Sequence, residues 1–89
     1  MKTFNDLKFK PHSIGNGQHA ILNFDNGYGV SVLLGKLFYS NGIDTYELGV
    51  LKNNYLCYDT PITDDVLGYL TKGGVTKIME RIQKLPKDE

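Results

Sequence analysis

The sequence has no tryptophan, only one cysteine and no excess of charge of either sign, and each shortage excludes a class of protein. Cys57 alone cannot form an internal disulfide, although small secreted domains usually depend on several. Apolar runs such as Val32-Leu33-Leu34 are far shorter than the roughly 18–20 residues that cross a bilayer. The first residues, MKTFNDLKFK, lack the apolar core of a secretory signal. We therefore expect a soluble cytoplasmic protein with no membrane partner.

The charges balance at ten basic and ten acidic residues, so the formal net charge is zero. Residues 1–12 hold three lysines against one aspartate, residues 72–89 hold five basic against three acidic groups, and residues 59–65 hold three aspartates. A protein that grips nucleic acid through its phosphates needs a positive patch. These local charges are small, so nucleic acid is not the expected partner.

What is present is an ordinary globular composition, 40% hydrophobic and 22% charged over 89 residues, which predicts one domain over residues 1–89. Alternating apolar and polar residues on both sides of Asp25-Asn26-Gly27 predict a β-hairpin. We favour a three-residue loop with Gly27 left-handed over a two-residue Asn-Gly loop. Only the first places six apolar residues on one face, because a one-residue slip scrambles that set: Ala20, Leu22, Phe24, Tyr28, Val30 and Val32.

The remaining strands follow from similar alternation between turn residues. We expect a short edge strand at residues 7–10, a strand resuming at residues 37–39, and two more at residues 45–51 and 55–59. The predicted fold class is α+β, an antiparallel meander of four to five strands with a C-terminal helix on one face.

After Pro61 the period changes to that of a helix. Thr63 with two aspartates predicts the start of a short helix that includes Val66, Leu67, Tyr69 and Leu70. Thr71 then caps a second helix, with apolar residues at helical spacing from Val75 to Leu85 and Pro86 as its end.

The residues with catalytic or ligating side chains form no recognised motif. One cysteine and two histidines seven residues apart, His12 and His19, do not match a metal site, which needs three or four ligands. The pairing of strands places Cys57 on one face with Glu47 and Gly49, as a small, partly buried residue and not a nucleophile. We predict no catalytic residue, no metal and no cofactor.

Binding of another protein is better supported than catalysis. If helices cover one face of the sheet, the opposite face carries two apolar residues, Ile21 and Leu33, that would meet water. Two tyrosines near turns add contact area, since tyrosine is enriched at protein interfaces. The predicted interaction surface consists of His19, Ile21, Ser31, Leu33, Tyr39 and Tyr55.

Three segments resemble small uncharacterised proteins of tailed bacteriophages and prophages: residues 25–32 (DNGYGVSV), residues 46–48 (YEL) and residues 57–70 (CYDTPITDDVLGYL). The resemblance spans about residues 7–85. It implies an accessory protein of phage origin in the cytoplasm of a bacterial host, and it carries over no functional residues.

The expected function is therefore binding to a host protein or to a second copy in a homodimer. One alternative is a small enzyme or ligand-binding protein that uses the acidic segment at residues 57–65, with Asp59, Asp64 and Asp65 as paired carboxylates or cation ligands. A third is weak nucleic-acid binding through basic residues of both termini: Lys8, Lys10, Lys77, Arg81 and Lys84.

Overall fold

The computed structural model describes residues 1–13, 16–57, 60–62 and 66–86. Its six strands form one antiparallel sheet in the order β1-β2-β3-β4-β5, with β6 also paired to β4. The predicted α+β class, an antiparallel meander with a C-terminal helix, is confirmed. The elements are a 3₁₀ turn at Phe4–Asp6, β1 (Lys10–Pro11), β2 (Gln18–Asn23), β3 (Tyr28–Leu34), β4 (Tyr46–Lys52), β5 (Tyr55–Leu56), β6 (Leu67–Leu70) and the helix α1 (Lys72–Gln83).

The hairpin between β2 and β3 has the predicted three-residue loop. The Phe24 N–H donates to the Tyr28 carbonyl at 2.8 Å, and Gly27 is left-handed with φ of 87°. Ala20 then lies opposite Val32, as the favoured register requires. This register sends one set of side chains towards the helix and the alternate set to the other face.

The hydrophobic core lies between α1 and one face of the sheet. The helix contributes Val75, Met79 and Ile82, at spacings of four and three residues that place them on one side. All three are fully buried, and complete burial of such a side chain stabilises a fold by roughly 1.5–3 kcal/mol. The sheet contributes Val30, Val32, Leu48 and Val50.

Side chains from outside the helix form hydrogen bonds with backbone groups near both of its ends. The Thr71 hydroxyl accepts a hydrogen bond from the Gly74 N–H at 3.1 Å, which confirms the predicted cap. At the other end, the Asn26 amide in the hairpin loop donates to the Ile82 carbonyl at 2.8 Å and to the Leu85 carbonyl at 3.2 Å. The hairpin loop therefore fixes the C-terminal end of α1.

The short helix predicted before α1 is wrong. Its described part, from Leu67 to Leu70, is the strand β6, which pairs with β4 through Leu48–Leu67 and Tyr46–Leu70; residues 63–65 lie outside the described residues. One extra residue on β6 makes a bulge in which Tyr69 is left-handed, with φ of 54°. The free edge of β4 supplied hydrogen bonds that a helix of one or two turns could not match.

Three other strand predictions need correction. Residues 37–39 form no strand, because β3 ends at Leu34 and side-chain oxygens of the following loop bind its backbone. The Asn41 side chain accepts hydrogen bonds from the N–H groups of Ile43, Asp44 and Thr45. The edge strand β1 covers Lys10–Pro11 and not residues 7–10, and β5 is described only at Tyr55–Leu56.

In the described part of the chain, no helix is long and apolar enough to cross a membrane.

Candidate functional site

Four of the six residues predicted for an interaction surface lie together on the sheet face opposite α1. Ile21 of β2 is directly opposite Ser31 of β3, and His19 is directly opposite Leu33. Ile21 is 54% exposed, whereas the other three are partly buried. We call His19, Ile21, Ser31 and Leu33 the open face.

The same face is covered where it continues onto β4. A Cβ atom added at Gly49 would lie 2.8 Å from the Leu56 side chain and 3.5 Å from that of Val66. Leu51, which shares this face, is only 5% exposed. Residues that follow β4 therefore shield one half of the face and leave the β2–β3 half accessible.

Tyr39 and Tyr55, the other two predicted residues, lie on different elements. Tyr39 is in the loop between β3 and β4, where its N–H donates to the Glu47 carboxylate at 3.1 Å and its carbonyl accepts from the Tyr69 N–H at 2.9 Å. Tyr55 is on β5, separated from β2 in the sheet by β3 and β4. Both are well exposed, but neither extends the open face.

A cleft that the sequence did not reveal borders the open face. Beyond the pair formed by Lys10 and His19, the chain before β1 diverges from β2, because Leu7 and Phe9 pack against the core. The gap has a volume of about 800 Å³. We call it the lysine cleft, and its walls are Lys2, Asn5, Asp6, Lys8, Lys10, His19, Ile21 and Leu22.

The N-terminal wall of the lysine cleft is attached to α1. The Gln83 side chain accepts from the Lys2 N–H at 2.9 Å and donates to the Lys2 carbonyl at 2.8 Å. The Phe4 N–H donates to the Thr76 hydroxyl at 3.0 Å. The wall is thus held by side chains of the helix and stays apart from β2.

Aromatic packing holds the same wall from below. The ring of Phe4 is 5.0 Å from that of Tyr46 and 5.7 Å from that of Phe9, between ring centroids. Burial raises the pKa of the Tyr46 phenol above its ordinary value, and the Asp44 carboxylate raises it further.

The two histidines lie side by side near one end of the open face. The ring centroids of His12 and His19 are 5.2 Å apart in an edge-to-face arrangement, and His12 also contacts the Phe38 ring. Within the described ranges, no group of three His, Cys, Asp or Glu side chains is placed to hold a metal ion. Two imidazoles supply fewer ligands than the three or four of a protein zinc site.

Most of the candidate ligating and catalytic side chains of residues 57–65 lie outside the described residues. Asp59, Asp64 and Asp65 lie outside the described residues. Cys57 donates its N–H to the Val50 carbonyl and packs in the core, so its predicted position on the face of Glu47 and Gly49 is wrong. At 9% exposure the thiol is poorly placed to meet a substrate.

A second exposed apolar group was also missed from the sequence. Leu37 and Ile43 in the β3–β4 loop are about 70% exposed or more, and Tyr69 is 62% exposed. The sequence pattern places Tyr69 in the short helix predicted before α1. Its turn outward follows from the bulge in β6, which pattern reasoning could not detect in a segment interpreted as helix.

Comparison of the chain with protein-family models, with curated proteins and with solved structures gives no match in any of the three.

Proposed function

We propose that this protein acts by binding another protein through the open face, and that it is not an enzyme. The observation that carries the proposal is the exposure of Ile21, 54%, in the middle of a strand whose opposite face buries Ala20 in the core. An exposed β-branched residue, with a second apolar side chain, Leu33, diagonally across the strand pair on the same face, gives a contact area that water does not favour.

The chemistry of the open face supports binding over catalysis. Its four side chains include one titratable group, His19, and no carboxylate or thiol. General acid–base or nucleophilic catalysis needs at least two such groups within hydrogen-bonding reach. The surface suits desolvation of apolar area, which is the main contribution to protein association.

The biological setting of the proposal comes from the resemblance of residues 25–32, 46–48 and 57–70 to small phage and prophage proteins. We propose an accessory protein that works in the bacterial host cytoplasm, where it binds a host factor or a second copy of itself. The proposal about the open face does not depend on this setting.

The test is photo-crosslinking from the open face in the bacterium that carries the gene. Benzoylphenylalanine replaces Ile21 in one variant and Lys77, an exposed residue of α1, in a control variant. We expect a protein adduct specific to position 21. An adduct between two copies identifies the homodimer, and an adduct with another protein identifies the host factor.

The partner is then purified and its affinity is measured with the wild type, Ile21→Ser and Lys77→Ser. Loss of a central apolar contact should weaken binding by about tenfold or more, whereas Lys77→Ser should leave it unchanged. The same adducts from positions 21 and 77, no adduct, or equal affinity of Ile21→Ser and the wild type would contradict the proposal.

A further inference from the structure

The edge of β2 that borders the lysine cleft has N–H and C=O groups that pair with no backbone group in the described part of the chain. Since the Phe24 N–H donates to the Tyr28 carbonyl, the N–H and C=O groups of alternate residues, Leu22 and Ala20, also point to β3. Those of His19, Ile21 and Asn23 point away from β3, towards the cleft side.

Strand β1 covers only the first part of this edge. Lys10 pairs with His19, and one step further along the chain the His12 N–H donates to the Gly17 carbonyl at 2.8 Å. The next pair in the other direction would be Lys8 with Ile21, but β1 begins at Lys10. Among the described residues, no backbone group bonds to the outward N–H and C=O groups of Ile21 and Asn23.

Two donors and two acceptors thus stand along one strand at the spacing of a β-ladder. This is the arrangement that captures an extended peptide by strand addition, in which backbone hydrogen bonds provide affinity and alternate side chains provide specificity. A peptide segment of about four residues, roughly 13 Å when extended, would cover the edge from Asn23 to Ala20, next to the start of β1.

The charge of the cleft selects the peptide. Its lining has three lysines, Lys2, Lys8 and Lys10, against the single carboxylate of Asp6. An acidic segment would be attracted to this lining. Edge-to-edge pairing of two copies would instead bring two sets of lysines together, which is unfavourable.

We propose that the lysine cleft binds an acidic, extended segment of a partner protein, which adds to β2 as a strand along residues 21–23. The inference rests on the proposed function and specifies the chemistry of the partner. The acidic side chains of the segment lie on the side of the open face, near Ile21, Lys8 and Lys10. The apolar side chains that alternate with them point to the other side of the added strand, next to Leu22.

The test uses a defined probe and the whole chain. The peptide acetyl-Glu-Val-Glu-Val-Glu-Val-amide is titrated into nitrogen-15-labelled protein, and amide shifts and hydrogen exchange are followed by NMR. We expect saturable shifts centred on Ile21 and Asn23, with exchange of the Ile21 amide slowed about tenfold or more, since that N–H gains an acceptor. The shifts of α1 amides should be unchanged.

Two peptide controls separate charge from strand addition. The corresponding Lys-Val peptide keeps the β-propensity and reverses the charge, and a Glu-Val peptide with N-methyl groups on alternate residues keeps the charge and loses the donors. We expect neither to bind detectably. Equal binding of either control, or no saturable shift with millimolar Glu-Val peptide, overturns the proposal.

Protein variants test the same contacts from the other side. Lys8→Glu with Lys10→Glu should weaken peptide binding by about tenfold, while the matched change Lys77→Glu on α1 with Lys84→Glu at its C-cap should not. Ile21→Pro removes one outward donor without touching the β2–β3 ladder, and should also abolish binding. If that variant does not fold, the N-methylated peptide still tests strand addition, because it removes the hydrogen bonds that the peptide donates to the outward carbonyls of β2.

Failure of this inference differs from failure of the proposed function. A partner that crosslinks to position 21 and binds equally well to the Lys8→Glu, Lys10→Glu variant overturns the acidic-strand proposal and leaves protein binding intact. Absence of any specific adduct at position 21 overturns protein binding through the open face.

Discussion

The substitution Asn26→Asp tests the contact through which the hairpin loop holds α1. The change preserves size and keeps the side-chain oxygen that accepts from the Tyr28 N–H at 3.1 Å. It removes the amide that donates to the carbonyls of Ile82 and Leu85 at 2.8 and 3.2 Å. A carboxylate then faces the negative end of the helix dipole.

The expected loss follows from these three effects. Each lost hydrogen bond contributes about 1 kcal/mol to the free energy of unfolding, and the charge at the helix C-terminus costs about 0.3–1 kcal/mol more. The sum is about 2–3 kcal/mol. With an unfolding entropy of roughly 2.1 cal/mol/K per residue over 89 residues, the Tm should fall by about 10–15 °C.

Urea unfolding followed by circular dichroism measures the difference between variant and wild type at pH 7 and at about pH 3, below the ordinary carboxyl pKa of about 3.9. Protonation removes the charge and restores one donor, so the difference should shrink to about 1 kcal/mol at low pH. Asn23→Asp is the control, because that amide donates only to the exposed Asn54 side chain. Equal losses at positions 26 and 23, or no pH dependence at position 26, would refute the reasoning.

Three further changes test the β4–β6 region and the helix start. Gly68→Ala should destabilise by about 1–3 kcal/mol, because its Cβ would lie 2.7 Å from the Tyr39 Cβ. A Cβ atom at position 73 would meet no atom within 4 Å, so Gly73→Ala should stabilise the fold by about 0.5–1 kcal/mol. Urea unfolding measures both changes, and equal changes in unfolding free energy for Gly68→Ala and Gly73→Ala would contradict the boundary between β6 and α1. Burial and Asp44 raise the pKa of Tyr46 above 10.0, so the Tyr46 phenol ionises at lower pH in the unfolded state than in the folded state. The stability that the neutral Tyr46 contributes is therefore intact below pH 10 and is lost as the pH rises through the folded pKa. Tyr46→Phe should reduce the alkaline loss of stability; an unchanged slope of unfolding free energy against pH would contradict this.

The hairpin shows which features the sequence determines locally. Its register is decided by apolar alternation on both sides of Gly27, because the wrong loop length would move Leu22 and Val30 into water. The helix start at Thr71 is equally local, since the hydroxyl serves an N–H three residues away. Both could be predicted because each rests on neighbours within one hairpin or one turn.

The strand β6 shows what local pattern cannot decide. Residues Val66, Leu67, Tyr69 and Leu70 suit one turn of an amphipathic helix as well as a bulged strand. The choice depends on whether β4 has a free edge at Tyr46 and Leu48, and this becomes known only when β5 is seen to pair with the far end of β4. Tertiary pairing therefore overrides a weak local preference.

Of the two parts of the candidate site, local sequence pattern predicts the open face but not the lysine cleft. Alternation alone placed Ile21 on a face without a helix, so the open face could be predicted from the sequence. The cleft beside it depends on long-range packing: Leu7 and Phe9 join the core under the sheet, and their burial draws the chain away from β2 before Lys8 can pair with Ile21. The alternation at residues 7–10 suggested an edge strand, and the lysines suggested protection of that edge. In the structure the lysines instead line a gap beside outward N–H and C=O groups of Ile21 and Asn23 that no backbone group of the described residues pairs with. This is the gap that we propose binds an acidic strand.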